Sequence, residues 1–166
     1  MGMFGAKVSG SAELKRDLDW LRATFPEWLA SGNLLTANAI RDRAHQNILD
    51  IDAYDTTALY YSLRIKTARR GLTVLVGSIS KYAPYIEFGT RPHWPPISKI
   101  RAWCIRKGLG AGAAFVVARK IAERGTPPRP WLNPAFLAER RFHLERMRTV
   151  VNNGLKTHLK ASLGRK

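Results

Sequence analysis

The chain has 166 residues, 45% of them hydrophobic and 10% aromatic, which suffices to bury one core and argues against wholesale disorder. Its 28 Lys and Arg outnumber 12 Asp and Glu, and the net charge of +16 favours an anionic partner, nucleic acid first, over a merely solvated basic surface. The single cysteine excludes an intrachain disulfide, and no apolar run reaches the ~18 residues of a membrane span. We expect one domain over residues 1–166, with no signal peptide in residues 1–10, in a cytoplasm-like compartment.

The N-terminal region, residues 11–50, is predicted to be helical. Apolar residues recur at helical spacing after Ser11, which can cap the first helix, and Pro26 interrupts or restarts the pattern. A second helical pattern covers residues 27–50, and Ser31-Gly32-Asn33 can break it in two. The sequence thus predicts at least two helices before the first strand.

A β-hairpin is predicted over about residues 62–79. S-L-R-I-K-T alternates apolar and basic residues, and the apolar run G-L-T-V-L-V-G-S-I follows across a turn at Arg69-Arg70-Gly71. Leu63 and Ile65 should face the core, while Arg64 and Lys66 face outward. A two-stranded hairpin is marginal in water, so helices or strands of neighbouring subunits must back it, and a further strand would enlarge the sheet.

The second half of the chain is predicted to hold a connector and three helices. Residues 98–107 and 113–123 form two helices on either side of the loop G-L-G-A-G, and Cys104 lies on the buried side of the first. The last helix covers residues 133–163, with Asn133 as cap and Pro134 at the first position, and Asn152-Asn153-Gly154 weakens its middle. The expected fold class is α+β, a small antiparallel sheet packed by long helices.

The sequence contains no pattern typical of catalysis or of a metal site. Its four histidines lie on separate predicted elements, and G-L-G-A-G lacks the Lys-Ser/Thr step of a phosphate-binding loop. Asp50, Asp52 and Asp55 form a turn cluster without the ligand pattern of a calcium loop. We therefore predict a protein that is not an enzyme and that uses no cofactor or metal ion.

Two groups of residues remain as candidate functional sites. Glu87, amid aromatic residues, is either a general base or, more commonly for such an acid, a structural clamp held by Arg91, another subunit's arginine or backbone N–H groups. The basic residues of the last helix either contact DNA or form a solvated face, and the sequence leaves both readings open. The DNA-facing candidates are Arg140, Arg141, Arg148, Lys156 and Lys160.

Three motifs carry a resemblance to a known family. D-T-T-A-L-Y-Y-S-L at residues 55–63 resembles D-T-G-x-L-x-x-S-I, Y-A-P-Y-I-E-F-G-T at 82–90 resembles Y-A-x-Y-V-E-F-G-T, and P-R-P-W-L-N-P-A-F at 128–136 resembles R-P-F-L-x-P-A-L. In this order they resemble the tail-completion or minor tail proteins of long-tailed double-stranded DNA phages, a head-to-tail connector family. Two departures are Thr57, where the family has Gly, and a lengthened region after E-F-G-T, as in members with an inserted helix.

The resemblance implies a ring of six or twelve copies at the virion neck, assembled in the host cytoplasm. Such a ring completes the tail, joins it to head-completion (stopper) and tail-terminator or tail-tube proteins, and passes double-stranded DNA through its channel. Rigid aromatic side chains suit contacts between copies, with Glu87 fixing orientation. The predicted subunit contacts are Tyr82, Tyr85, Glu87, Phe88, Gly89, Thr90, Arg91, Trp94 and Trp131.

Two other functions compete with the ring. A stand-alone basic DNA-binding protein would use the basic residues of the last helix and would bind with strong salt dependence. A hydrolase built on Glu87 and His93 would lose turnover in a Glu87→Gln variant, although the sequence suggests no substrate.

Overall fold

The computed structural model describes residues 11–51 and 57–163, and within them the fold is α+β. Helix α1 is followed by a two-stranded antiparallel sheet and then by five further helices. The elements are α1 Ser11–Asp50, β1 Leu63–Ala68, β2 Thr73–Ser78, α2 Ala83–Phe88, α3 Ile97–Arg106, α4 Ala113–Arg124, α5 Leu132–Arg140 and α6 His143–Leu163. No helix in the described ranges is long and apolar enough to cross a membrane.

Helix α1 is continuous over forty residues, so the prediction of two helices is wrong. Pro26 lies inside it, and Gly32 is buried rather than part of a turn. A methyl group at Gly32 would overlap the Met147 side chain, so this glycine allows α6 to approach α1 closely. Helix α1 packs along α5 and α6, and these contacts keep it helical at Pro26 and Gly32, where local propensity favours a break.

Helix α6 runs antiparallel to α1. Near one end the ring of His158 stacks on Trp20 with centroids 3.5 Å apart, and near the other His143 Nδ1 lies 3.0 Å from Thr36 Oγ1. Gly154 faces Trp28, where an added Cβ would lie 2.8 Å from the indole Nε1. The glycine expected to weaken the last helix therefore serves its packing on α1.

The last predicted helix is two helices, α5 and α6, which are separated at Arg141-Phe142 rather than at residues 152–154. Asn133 is not the cap of α5, because the helix begins at Leu132 and Trp131 occupies the cap position without a side-chain cap bond. Its predicted start was off by one to two residues, and the chain supplies the missing cap from elsewhere, as described below.

The hairpin is confirmed, with Leu63 paired with Ser78 and Ala68 with Thr73. Along β1 the predicted inward residues are buried or half-buried and the basic residues are exposed. Helix α1 backs the hairpin, and Asn33 Nδ2 donates to the Gly71 and Leu72 carbonyls at 3.1 Å. Among the described residues no further strand joins the sheet, and one isolated bridge pairs Thr90 with Thr126.

The main core lies between α1, the hairpin, α2 and α5. Its buried members are Ile40, Ala44, Ile48, Leu59, Leu63, Ala83, Trp131 and Ala135. Asn47 Nδ2 donates to the Trp131 carbonyl at 2.8 Å and so ties α1 to the start of α5. A second, small buried group, made by Cys104 of α3 with Ala114 and Ala118 of α4, confirms that the cysteine faces inward.

Candidate functional site: an aromatic assembly surface

Helix α2 has two chemically different faces. Its buried face carries Ala83 and Glu87, four residues apart and therefore on one side of a helix. Its outer face presents three aromatic rings at three-residue steps, Tyr82 at 41% exposure, Tyr85 at 60% and Phe88 at 77%. The segment that surrounds one acid with aromatic residues therefore turns the acid inward and the rings outward.

Glu87 caps helix α5. Its Oε2 accepts the backbone N–H of Trp131 at 2.8 Å and of Leu132 at 2.9 Å, and its Oε1 accepts that of Asn133 at 2.9 Å. The first N–H groups of a helix have no partner within the helix, and a carboxylate there also interacts favourably with the helix dipole. Of the alternatives that the sequence left open, these contacts correspond to the clamp held by backbone N–H groups.

An apolar groove of about 500 Å³ adjoins the aromatic face. It lies between strand β2, helix α2 and the first turns of α5. Its walls include Val74, Val76, Phe88, Leu132 and Phe136. We name the three exposed rings of α2 together with this groove the aromatic surface.

Trp131 is a correction to the predicted set of subunit contacts. Its side chain is 2% exposed and belongs to the main core beneath the groove, so it is not available to a second copy of the chain. The proline-rich sequence around it suggested an exposed connector, but Glu87 and Asn47 hold its backbone inside the fold. Its burial instead fixes the start of α5.

Gly89-Thr90 and Gly125-Thr126 form a paired structure that we name the Gly-Thr clasp. The Thr90 N–H donates to the Thr126 carbonyl at 3.0 Å, the Thr126 N–H donates back at 3.3 Å, and the two hydroxyl oxygens lie 3.0 Å apart. Gly89 and Gly125 follow α2 and α4 with φ of 71° and 70°, a region that favours glycine. An added Cβ would lie 2.9 Å from Pro128 N at Gly89 and 2.9 Å from the Thr90 carbonyl carbon at Gly125.

The sequence carries a signal for the clasp that lies partly outside the three motifs. E-F-G-T-R-P at residues 87–92 and E-R-G-T-P-P at 123–128 share the pattern E-x-G-T-x-P, in each case at the end of a helix. A single Gly-Thr step does not indicate a partner, but the repeated pattern indicates that the two steps are related. The clasp closes the base of an insert of residues 91–124, which contains α3 and α4.

Two predicted contact residues, Arg91 and Trp94, lie on this insert. Both are exposed, and the Trp94 ring meets the Phe115 ring of α4 edge-on with centroids 5.8 Å apart. The predicted contact set therefore divides into exposed rings on α2, buried or half-buried structural residues, and residues of the insert. The structural residues are Glu87, Gly89, Thr90 and Trp131.

The five basic residues predicted to face DNA, on α5, α6 and the turn between them, are all exposed. The Arg141 guanidinium lies 4.7 Å from the centroid of the Phe142 ring, at the break between the two helices. These residues share their surface with apolar side chains such as Leu144, which is 78% exposed. Exposure alone leaves both readings of this face open.

A buried carboxylate that the sequence did not single out stabilises the same break. Glu139 Oε1 accepts from Arg43 Nε of α1 at 2.6 Å, and its Oε2 accepts from Arg146 Nη2 of α6. Hydrogen bonds from Arg146 and then Arg43 lower the pKa of Glu139 below its ordinary value of 4.5, although burial acts in the opposite direction. This triad ties α1, α5 and α6 together.

Comparisons with known proteins identify no relative, since no family model, curated protein or solved structure matches the chain. Within residues 11–51 and 57–163, no group of three or more His, Cys, Asp or Glu side chains could hold a metal ion.

Proposed function

We propose that this chain is a structural protein of the phage neck, which assembles with copies of itself into a ring through the aromatic surface. The observation that carries the proposal is the outer face of α2, where three aromatic rings remain 41% to 77% exposed beside an apolar groove. Exposed apolar patches with aromatic residues mark protein interaction sites more often than solvated surface.

The aromatic surface is held rigidly. Glu87 joins α2 to α5 by three hydrogen bonds, and the Gly-Thr clasp fixes the chain just beyond Phe88. A surface that is ordered before binding loses less conformational entropy when it docks. Its rigidity therefore suits repeated contacts between identical copies.

The three motifs that suggest a neck protein meet in the main core, which supports reading them as one unit. The second motif contains α2 and Glu87. The third motif contains the backbone N–H groups that donate hydrogen bonds to Glu87. Leu59 and Leu63 of the first motif lie in the same core.

The start of the first motif is only partly described. Asp55 and Thr56 fall outside the described residues, as does Asp52 of the acidic turn. Thr57 has a φ of 56°, so the position where the family has Gly keeps a glycine-like conformation.

In the proposed role the ring completes the tail, joins it to the DNA-filled head and carries no enzymatic activity. Its six or twelve copies contact head-completion and tail-terminator or tail-tube layers, and the genome passes through the channel of the virion neck. The positive charge of the chain suits non-specific contact with phosphates.

Native mass spectrometry together with negative-stain imaging tests the assembly. We expect a defined ring for the natural chain and loss of the ring in a Tyr85→Ser/Phe88→Ser variant that keeps its melting temperature. Leu144→Ser, which changes an exposed leucine on α6, is the matched control and should leave the ring intact. A chain that stays monomeric alone and with tail components, or a double variant that assembles normally, would refute the proposal.

A second candidate function, a stand-alone DNA-binding protein, is supported by the exposed basic residues and the net charge of +16. It predicts a monomer that binds duplex DNA with steep salt dependence. Measurement of mass and of DNA affinity on the same sample separates the two, because this candidate requires binding without a ring.

A further inference from the structure

The insert between the two halves of the Gly-Thr clasp holds a large share of the net charge. Residues 91–124 contain eight Lys and Arg and one acid, Glu123, which gives +7 of the total +16 in 34 residues. The acid is paired within the insert, since Arg119 Nε donates to Glu123 Oε1 at 2.9 Å. The segment therefore carries an excess of positive charge that its own single acid cannot balance.

The basic residues of the last helices have a different setting. Residues 132–163 carry six Lys and Arg and two Glu, but they pack on α1, where residues 11–50 carry five Lys and Arg and six Asp and Glu. The net charges are +4 and −1, so 72 residues of packed helices carry +3. The insert carries +7 in 34 residues, which is more than twice the net charge of these helices in less than half their length.

Helices α3 and α4 form a hairpin that packs chiefly on itself. Cys104, Ala114 and Ala118 are buried between the two helices, and α3 and α4 make their main contacts with each other. The clasp closes its base, and at its tip Gly108 and Gly110 have open space where a side chain would lie. Seven of the eight basic side chains are exposed, and Lys107 is half-buried.

We propose that this helical hairpin is the surface of the chain that binds duplex DNA, through its phosphates and without sequence preference. Helices of ten and twelve residues are about 15 and 18 Å long. Over that length a duplex carries roughly ten phosphate charges, enough to neutralise eight cations. Binding a polyanion relieves the repulsion among these cations.

The hairpin lacks one class of side chain that reads bases, while its Lys and Arg are the side chains that contact phosphates. Residues 91–124 contain no Asn or Gln, the side chains that read adenine in the major groove. The glycines of the tip allow close approach of the backbone to a ligand. We therefore expect similar affinity for duplexes of different sequence.

Two charge-matched variants test the proposal. Lys99→Gln/Arg101→Gln/Lys120→Gln/Arg124→Gln removes four charges from the hairpin, and Arg140→Gln/Arg148→Gln/Lys156→Gln/Lys160→Gln removes four from α5 and α6. Binding of a fluorescent 30-base-pair duplex is followed by anisotropy between 50 and 200 mM salt. We expect the hairpin variant to lower the slope of log affinity against log salt by about 3 to 4, and the control variant to change it by less than about 1.

Equal losses in both variants would mean that total charge rather than the hairpin binds DNA, and natural binding by the hairpin variant would also overturn the proposal. Poly-glutamate binding as tight as duplex binding would assign the hairpin to an acidic protein surface instead. Circular dichroism and the melting temperature check that both variants are folded. The proposal does not rest on ring assembly, because the same dependence is expected in the ring-deficient Tyr85→Ser/Phe88→Ser background.

Discussion

Glu87 accepts the backbone N–H of Trp131 at 2.8 Å across 44 residues of chain. A cap residue commonly accepts the N–H of the second or third helical residue through a side-chain oxygen, but Trp131 occupies the cap position of α5 and has no such oxygen. Glu87 Oε1 accepts the N–H of Asn133, the second helical residue, in its place. A carboxylate from another helix therefore caps α5. The same contact fixes the position of the aromatic surface, since Glu87 and Phe88 are neighbours on α2.

The first prediction concerns this cap. Glu87→Ala should lower the free energy of unfolding by about 2–4 kcal/mol, because it removes the acceptor of one buried and two part-buried backbone N–H groups at the start of α5. Glu145→Gln, which changes an exposed acid on α6, should change it by less than about 0.5 kcal/mol. Urea unfolding measures both. An Ala variant as stable as the natural chain would show that Glu87 is not a structural clamp.

Glu87 shows which features of the site can be predicted from the sequence and which cannot. The motif identified the residue, and a clamp was the favoured prediction because a lone acid among aromatic residues is commonly held by an arginine or by backbone N–H groups. Its partner could not be predicted, because it depends on bringing residue 87 next to residue 131. The local alternation of the hairpin and the inward side of Cys104 were predicted correctly, since both follow from the periodicity of one element.

The second prediction concerns the Gly-Thr clasp. Gly89→Ala and Gly125→Ala should each lower stability by at least about 2 kcal/mol, because the new Cβ adds strain at positive φ and meets backbone atoms that cannot rotate away. Gly112→Ala is the control, with an ordinary φ of −65° and nothing within 4 Å of the new Cβ. It should be neutral or stabilising by up to about 1 kcal/mol. Thermal unfolding of the three variants gives the comparison, and equal effects at all three positions would contradict the geometry of the clasp.

The third prediction concerns pH. The pKa of Glu139 is lower in the folded chain than in the unfolded chain, so the unfolded chain binds more protons in acid. The stability that Glu139 contributes is therefore present above about pH 4.5 and is lost as the pH falls through the lower folded pKa. Glu139→Gln should reduce stability at pH 7 by about 2 kcal/mol, and the difference from the natural chain should shrink in acid.

Urea titrations from pH 7 down to pH 3 measure that difference. Glu145→Gln, the exposed control, should run parallel to the natural chain over the whole range. A constant gap between the Glu139 variant and the natural chain at every pH would mean that protonation of Glu139 contributes nothing to acid sensitivity.

The long helices differ from the sequence-based predictions for one physical reason. Pro26, Gly32 and Gly154 reduce helix propensity locally, which predicts that a helix ends or weakens at each of them. The actual break, at Arg141-Phe142, carries no Gly or Pro and lies beside the triad of Glu139. Helix ends in this chain follow contacts between elements, which a single sequence does not display.

The last prediction tests, at Gly154, whether contacts between helices outweigh local helix propensity. By helix propensity alone, Gly154→Ala should stabilise α6 by about 1 kcal/mol. The new Cβ would overlap the Trp28 ring of α1, whose movement the adjacent Trp20 and Phe25 rings restrict, so we expect a net loss of about 1–3 kcal/mol instead. Asn153→Ala, at the exposed neighbouring position, should show the propensity gain without the overlap, because the Asn153 carbonyl that accepts from Thr157 is kept. Chemical unfolding of both variants decides the matter, since stabilisation by both would mean that α1 and α6 do not approach each other at this glycine.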